Sequence, residues 1–362
     1  MSVVHGGDLH AVARRHGVDA ATLVDFSANI APDGPPPGVT RVLAQAAIAP
    51  RMLAPYPSRS YAPLRAQIAS ALEVGPEAVV LGHGSAALID IAVRTAGASE
   101  WLVPVPAFSE YERALRAAGA RLVPFSLPAN LELDVAEFTR SLQARPRAGA
   151  LVNTPHNPSG SALQRGEALA LLRNCREMQR PLVVDEAFVE YAPERSIVRD
   201  AVCSGHAIVL RSLTKFYALA GVRIGYALAH PDLAHAMRER SPSWPVGTLD
   251  EAIALEALRD ERYAVRTREN NTRAREDLAR DLRALGLRVF PSVANFLLIE
   301  LPVAPRHLEV ALRALIEDGI VVRDCRSYAG LEHGTAIRVA VLDRAQNQRL
   351  VNSIAKVRPG IG

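Results

Sequence analysis

The chain has 362 residues, 49% of them hydrophobic, enough to bury a large core and to hold one large domain plus a smaller one. Basic and acidic residues, 42 against 38, are spread along the chain and alternate from Arg259 to Arg283, a pattern of solvated helix faces that excludes a nucleic-acid patch; the net charge of +4 suits phosphate-bearing ligands. No apolar run reaches membrane-spanning length, and Met1 to Gly7 has neither a basic nor an apolar leader region, so a cytoplasmic protein with no membrane partner is expected. Cys175, Cys203 and Cys325 form no Cys-x-x-Cys, and neither a disulfide framework nor a metal site is indicated.

In chain order, His5-Gly6-Gly7-Asp8 precedes a short amphipathic helix (Leu9, Val12, Ala13) that Asp8 can cap and Gly17 can end. Asp25 to Ile30 is apolar with polar residues interleaved, and Pro35-Pro36-Pro37 reads as a surface turn. A turn at Tyr56-Pro57 leads to a helix from Tyr61 to Leu72, with Leu64, Ile68 and Leu72 on one face. Val79 to Leu81 is a strand, Gly82 to Ser85 a tight turn, and Ala86 to Ala96 a helix whose first backbone N–H groups, with the Ser85 hydroxyl, suit a phosphate. Trp101 to Pro106 leads to Phe108, and Asp134-Val135-Ala136-Glu137 reads as a capping box.

Three apolar strands then end in polar residues. Gly149 to Val152 runs into Asn153-Thr154-Pro155-His156-Asn157-Pro158-Ser159-Gly160, a turn-rich loop with Asn157 between prolines. Pro181 to Val184 is a continuous apolar run of the kind covered on both faces of a parallel sheet, and Asp185 stands at its carboxyl end, where open α/β sheets bind ligands. Ala207 to Leu210 breaks at Arg211-Ser212-Leu213-Thr214-Lys215, and a further strand, Ile224 to Ala229, follows Arg223. A lysine at such a strand end, near Arg223, loses its proton at low cost and can form a Schiff base. Pro242-Ser243-Trp244-Pro245 interrupts the pattern, Leu249 to Leu285 reads as one long helix ended by Gly286, and strands follow at Leu287 to Phe290, Asn295 to Leu301, Ile320 to Arg323 and Ala336 to Val341. Arg338 lies inside an apolar strand, where an unpaired guanidinium is costly and a carboxylate partner is expected; Arg323 has a similar setting.

These three stretches, in this order, resemble the fold-type I enzymes that use pyridoxal 5′-phosphate (PLP), in the branch that contains histidinol-phosphate aminotransferase and threonine-phosphate decarboxylase. The resemblance covers nearly the whole chain. It implies an α/β fold, a large domain with a mostly parallel sheet covered by helices (residues 46–246) and a smaller α/β domain made from both termini (residues 1–45 and 247–362), in a homodimer. By resemblance Lys215 is the Schiff-base lysine, Asp185 holds the pyridine nitrogen protonated, and Asn157 faces the ring's phenolate oxygen. In the family's arrangement Phe108 would stack on the ring, and Gly84, Ser85, Ala86, Ser212 and Arg223 would hold the cofactor phosphate, joined by Tyr56 of the neighbouring subunit.

His-Gly-Gly followed by Phe-Ser-x-Asn resembles the threonine-phosphate decarboxylases, and makes His5, Ser27 and Asn29 candidates for the substrate-phosphate pocket, with Arg323. Arg338 matches the residue that grips the substrate's α-carboxylate, with Asn157 beside it. The expected reaction is decarboxylation of L-threonine O-3-phosphate to aminopropanol phosphate for cobalamin biosynthesis. Phe188 stands where histidinol-phosphate aminotransferases usually carry a hydrogen-bonding tyrosine, which counts against that first alternative. A non-catalytic PLP-fold binding or regulatory protein is the second, and it usually lacks the lysine or the acid that this chain retains.

Overall fold

A computed structural model describes residues 6–357; His5 lies outside the described residues. Seven strands form the larger sheet: β1 (Val79–Gly82), β2 (Glu100–Val105), β3 (Arg121–Ser126), β4 (Ala148–Asn153), β5 (Leu182–Asp185), β6 (Ala207–Ser212) and β7 (Gly225–Ala229). Their order is β1-β7-β6-β5-β4-β2-β3, and all neighbours are parallel except β7, which runs antiparallel to both β1 and β6. The central strands are apolar on both faces because helices cover both: β5 and β6 are buried along their whole length. This is the fold-type I architecture expected from the sequence.

Register sets the chemistry. Asn153 pairs with Asp185 and Asp185 with Leu210, so β4, β5 and β6 end together. Gly225 opens β7 opposite both Ser212 and Gly82, at the same rim. A side chain is impossible at Gly225: a Cβ there would meet the Arg211 carbonyl oxygen and the Ser85 nitrogen, each at 2.8 Å. That close approach carries the start of the helix Gly84–Ala96 up to the rim, and Gly84 makes the turn into it with φ of 76°.

The second core surrounds a four-stranded antiparallel sheet in which Arg323–Asp324, Ala336–Ala340, Phe296–Glu300 and Arg288–Val289 lie side by side. The amino-terminal segment joins it. Val24–Asp25 pairs with Ile320–Val321, the Ala340 N–H donates to the Phe26 carbonyl, and the Phe26 ring is fully buried. Helices Pro37–Ile48, which contains residue 46, and Thr248–Arg259, just after residue 246, pack on each other and send Val39, Val42, Ile253 and Ala254 into the larger core.

Three local expectations are corrected. Pro37 is not part of a surface turn but the first residue of Pro37–Ile48, where its missing N–H costs nothing. The stretch from Leu249 to Leu285 is two helices, Thr248–Arg259 and Glu261–Ala284; the Asp260 carboxylate accepts from the Tyr263 N–H at 2.8 Å and starts a new helix without any Gly or Pro. Ile320 to Arg323 is not one strand, because the chain changes sheets between Val321 and Arg323. At Asp134 half of the expected capping box forms: its carboxylate accepts from the Ala136 and Glu137 N–H groups at 2.8 and 3.0 Å.

Candidate active site

The strand ends open into a cavity of about 460 Å³ between the two cores, lined by residues from both. Lys215 lies in the loop after β6, and its backbone carbonyl accepts from the Ala31 N–H. Burial, then the Arg338 and Arg223 guanidiniums, lower its amine to about 8. Asp185, buried at the end of β5, accepts from the Tyr111 hydroxyl at 2.7 Å and from the Ala187 N–H at 2.9 Å. Burial pushes this carboxyl upward while those two bonds pull it down. Asn153, the last residue of β4, donates to the Asp185 carbonyl at 2.8 Å and accepts from the Asn157 N–H at 2.7 Å, so β5 holds the Asn157 loop in place.

Across the cavity stands Arg338. Its Nη1 donates to Asn157 Oδ1 at 2.5 Å and its Nη2 to the Ser27 carbonyl at 2.8 Å, while its guanidinium lies 5.4 Å from the Phe296 ring. The expected carboxylate partner is not supplied by the protein: among the described residues no Asp or Glu pairs with Arg338, and its buried Nε has no acceptor. Arg323 is its cross-strand register partner, donates to Ser327 Oγ at 2.7 Å, and lies over the Tyr328 ring at 5.3 Å.

The cavity therefore brings together Ser27, Asn29, Ser85, Ala86, Phe108, Asn157, Asp185, Ser212, Lys215, Arg223, Arg323 and Arg338, with Gly84 in the turn beside Arg223. Asn29 is buried with its Oδ1 unsatisfied, a polar atom in this cavity awaiting a donor. Phe188 lines the wall and meets Phe296 edge to face at 5.0 Å. Tyr56 is not in this chain's cavity. It is 77% exposed and stacks on Trp244 at 4.4 Å.

Sequence reasoning missed three participants. Tyr111 sits one helical turn after Phe108, a spacing that puts both on one side of the helix Ser109–Ala117, and the rings meet edge to face at 5.7 Å. Tyr328 comes from a short loop with no pattern. Behind the rim, Arg211 pairs with Glu186 and Glu190, both at 2.9 Å, and donates to Ser196 Oγ at 2.7 Å. His156 is buried and carries no charge: burial lowers it to about 4, and because the Pro106 carbonyl only accepts, its Nε2 holds the proton and Nδ1 faces the Ser159 hydroxyl.

An amine lowered toward neutrality, a buried carboxylate, and a helix amino terminus beside Arg223 and Ser212 form a donor set that fits PLP. The chain belongs to the aminotransferase class I and II family, whose model matches residues 21–354, and it is a PLP-dependent enzyme of that family. Among its relatives is threonine-phosphate decarboxylase of Salmonella typhimurium, 32% identical over 99% of this chain and 97% of that protein. Histidinol-phosphate aminotransferase of Methanothermobacter thermautotrophicus is 29% identical over 98% and 94%. An adenosylcobalamin biosynthesis bifunctional protein of Leptospira interrogans is 30% identical over 98% of this chain, which spans only 41% of that protein's length. Histidinol-phosphate aminotransferase from Sinorhizobium meliloti, solved in complex with pyridoxal-5′-phosphate, superposes with a TM-score of 0.87 at 24% identity, covering 97% of this chain and 94% of that one.

Proposed function

We propose that this chain decarboxylates L-threonine O-3-phosphate to aminopropanol phosphate. The observation that carries the reading is the placement of Arg323 and Arg338 directly opposite each other on adjacent antiparallel strands, both buried and both lining the cavity that contains Lys215. Two buried guanidiniums facing one cavity suit a ligand with two anionic groups, because guanidinium forks match carboxylate and phosphate oxygens. L-Threonine O-3-phosphate carries a carboxylate and a phosphate on adjoining carbons and would meet both guanidiniums at once; histidinol phosphate carries one anionic group, and an aminotransferase would meet both only with its 2-oxo diacid. Support also comes from the relative of that name in Salmonella typhimurium.

In this reading Arg338 grips the α-carboxylate, while Arg323, Ser27 and Asn29 face the phosphate. Lys215 would hold the cofactor through its amine, and Asp185 would stabilise positive charge at the ring nitrogen. PLP, when bound, would supply the electron sink for the pair left at Cα as CO₂ departs. Lys215, carrying a proton lost by the substrate's ammonium group, would give it to Cα, so one C–C bond breaks and one C–H bond forms. Phe188 adds an apolar wall and no hydrogen-bond donor.

A second reading, histidinol-phosphate aminotransferase, is favoured by relatives of that name at similar identity. Product analysis separates the two. The PLP-loaded protein given L-threonine O-3-phosphate without any 2-oxo acid is expected to release CO₂ and aminopropanol phosphate. Turnover of histidinol phosphate only after 2-oxoglutarate is added would replace the first reading with the second.

The working unit in this proposal is a homodimer that buries the face around Tyr56 and Trp244 and brings Tyr56 to the partner's cofactor phosphate. Exposed Leu43, Ile48 and Leu53 support it. Sedimentation of the PLP-loaded protein at a single monomer mass would remove it.

A further inference from the structure

A second cavity, of about 310 Å³, shares no lining residue with the active-site cavity. It lies beside the edge strand β1, between the turn that precedes the helix Ala62–Leu72 and the carboxyl end of the helix Pro231–Glu239. Arg59, Arg65, His235 and Arg238 line it, together with the hydroxyls of Ser60, Ser241 and Ser243; Glu239 is the one acid in the lining.

The arginines here are held by neutral groups. Arg65 donates through Nε and Nη2 to the Pro76 carbonyl at 3.0 and 2.6 Å. Arg238 donates through Nη1 to the carbonyls of Glu77 and Val79 at 2.8 and 3.2 Å, and its Nε and Nη2 have no partner among the described residues. Arg59 lies over the Trp244 ring at 5.8 Å. No carboxylate among the described residues forms an ion pair with any of the three. Glu77, whose backbone carbonyl serves Arg238, folds its own carboxylate over Gly75, where a Cβ would meet it at 1.8 Å. Arg65 is lowered by burial against the pull of Glu77, and Arg238 by burial and by Arg65 against Glu239 and Glu77, so nearby acids offset the positive charge at this cavity only in part.

We propose that this cavity binds a polyvalent phosphate anion of diphosphate size. Guanidinium forks match phosphate oxygens in pairs, and hydroxyls from Ser60 and Ser243 add donors that also rotate to accept. A multiply charged oxyanion offsets the repulsion among clustered guanidiniums, which a singly charged carboxylate does only in part. The volume exceeds what one orthophosphate fills and leaves room for a second phosphoryl group. Its occupant joins the Tyr56–Tyr61 turn to the helix Pro231–Glu239, across a contact now made by the Tyr61 hydroxyl to the Val246 carbonyl at 2.7 Å.

The test is a titration of the PLP-loaded full chain with inorganic pyrophosphate, followed by calorimetry. Saturable binding is expected, weakening as salt rises, with affinity about tenfold lower in Arg59→Gln. Arg59 holds no backbone group, so this variant folds even if Arg65 or Arg238 replacements do not. Arg238→Gln, if folded, is expected to lose binding further. Affinity unchanged in Arg59→Gln would assign the pyrophosphate to the active-site cavity and overturn the proposal, as would no saturable binding below about 10 mM.

Discussion

The Tyr111 hydroxyl donates to Asp185 Oδ2 at 2.7 Å from the helix Ser109–Ala117, so a carboxylate at the end of β5 is oriented by a residue 74 positions earlier. The bond does two things. It satisfies one lone pair of a buried acid, and it favours the ionised form against the burial that disfavours it.

Tyr111→Phe is therefore expected to raise the Asp185 carboxyl further and to loosen the cofactor. Losing a hydrogen bond to a buried charged group costs about 1.5–3 kcal/mol, roughly ten- to a hundredfold in PLP affinity. Spectrophotometric titration of apo-protein with PLP measures it. Affinity equal to that of the parent would show that Asp185 does not depend on this bond.

Lys215 supplies a pH dependence whose sign is fixed by its environment. The amine is lowered from 10.5 to about 8, so its neutral, nucleophilic form grows as pH rises through 8. The rate at which apo-protein captures PLP is expected to rise across pH 7–9 and level off above, and Lys215→Ala to abolish both capture and the visible absorbance of bound cofactor. The unfolded chain keeps its proton to a higher pH than the folded one, so Lys215 adds stability to the apo-protein as pH rises from about 8 toward 10.5. A capture rate flat across that range would contradict the burial of the amine.

Much of this arrangement is legible in the sequence. Asp185 and Lys215 follow uninterrupted apolar runs, and such runs are dictated by a sheet covered on both faces, so their ends locate the rim. What is not legible depends on partners far away in the chain. Arg211 ends an apolar strand much as any arginine would, and only the fold shows that it meets Glu186 and Glu190. Tyr111 looks like one more aromatic on an amphipathic helix until Asp185 is placed beside it. The helix break at Asp260 escapes because a carboxylate cap needs no breaker residue. Pro37 misleads because proline serves turns and helix starts equally well.

The Arg211 cluster predicts a stability effect separable from chemistry. Arg211 is 3% exposed, its guanidinium answers two carboxylates, and it directly precedes Ser212. Arg211→Met leaves Glu186 buried with its charge unanswered, and a loss of about 3–5 kcal/mol is expected. Denaturant unfolding of the PLP-loaded variant reads this directly. A midpoint equal to that of the parent would mean that Glu186 takes up a proton at little cost when Arg211 is gone.

Arg338 gives the sharpest division between substrate and cofactor. It reaches the cavity from the smaller sheet, and it is held by an amide oxygen and a backbone carbonyl, neither of which carries charge. A substrate carboxylate would be the first anion it meets, so Arg338→Ala removes a buried charged interaction worth about 2–5 kcal/mol. The Michaelis constant for a carboxylate-bearing substrate is expected to rise at least about thirtyfold. PLP affinity is expected to change by less than about threefold, since the residues proposed to anchor the cofactor, Lys215, Asp185 and the Gly84–Ala96 helix start, belong to the larger sheet and its loops. Arg338→Lys keeps the charge and loses the fork, and is expected to fall between the two. Equal losses for substrate and cofactor would mean that Arg338 acts through Asn157, with which it shares its 2.5 Å bond, and not on the substrate.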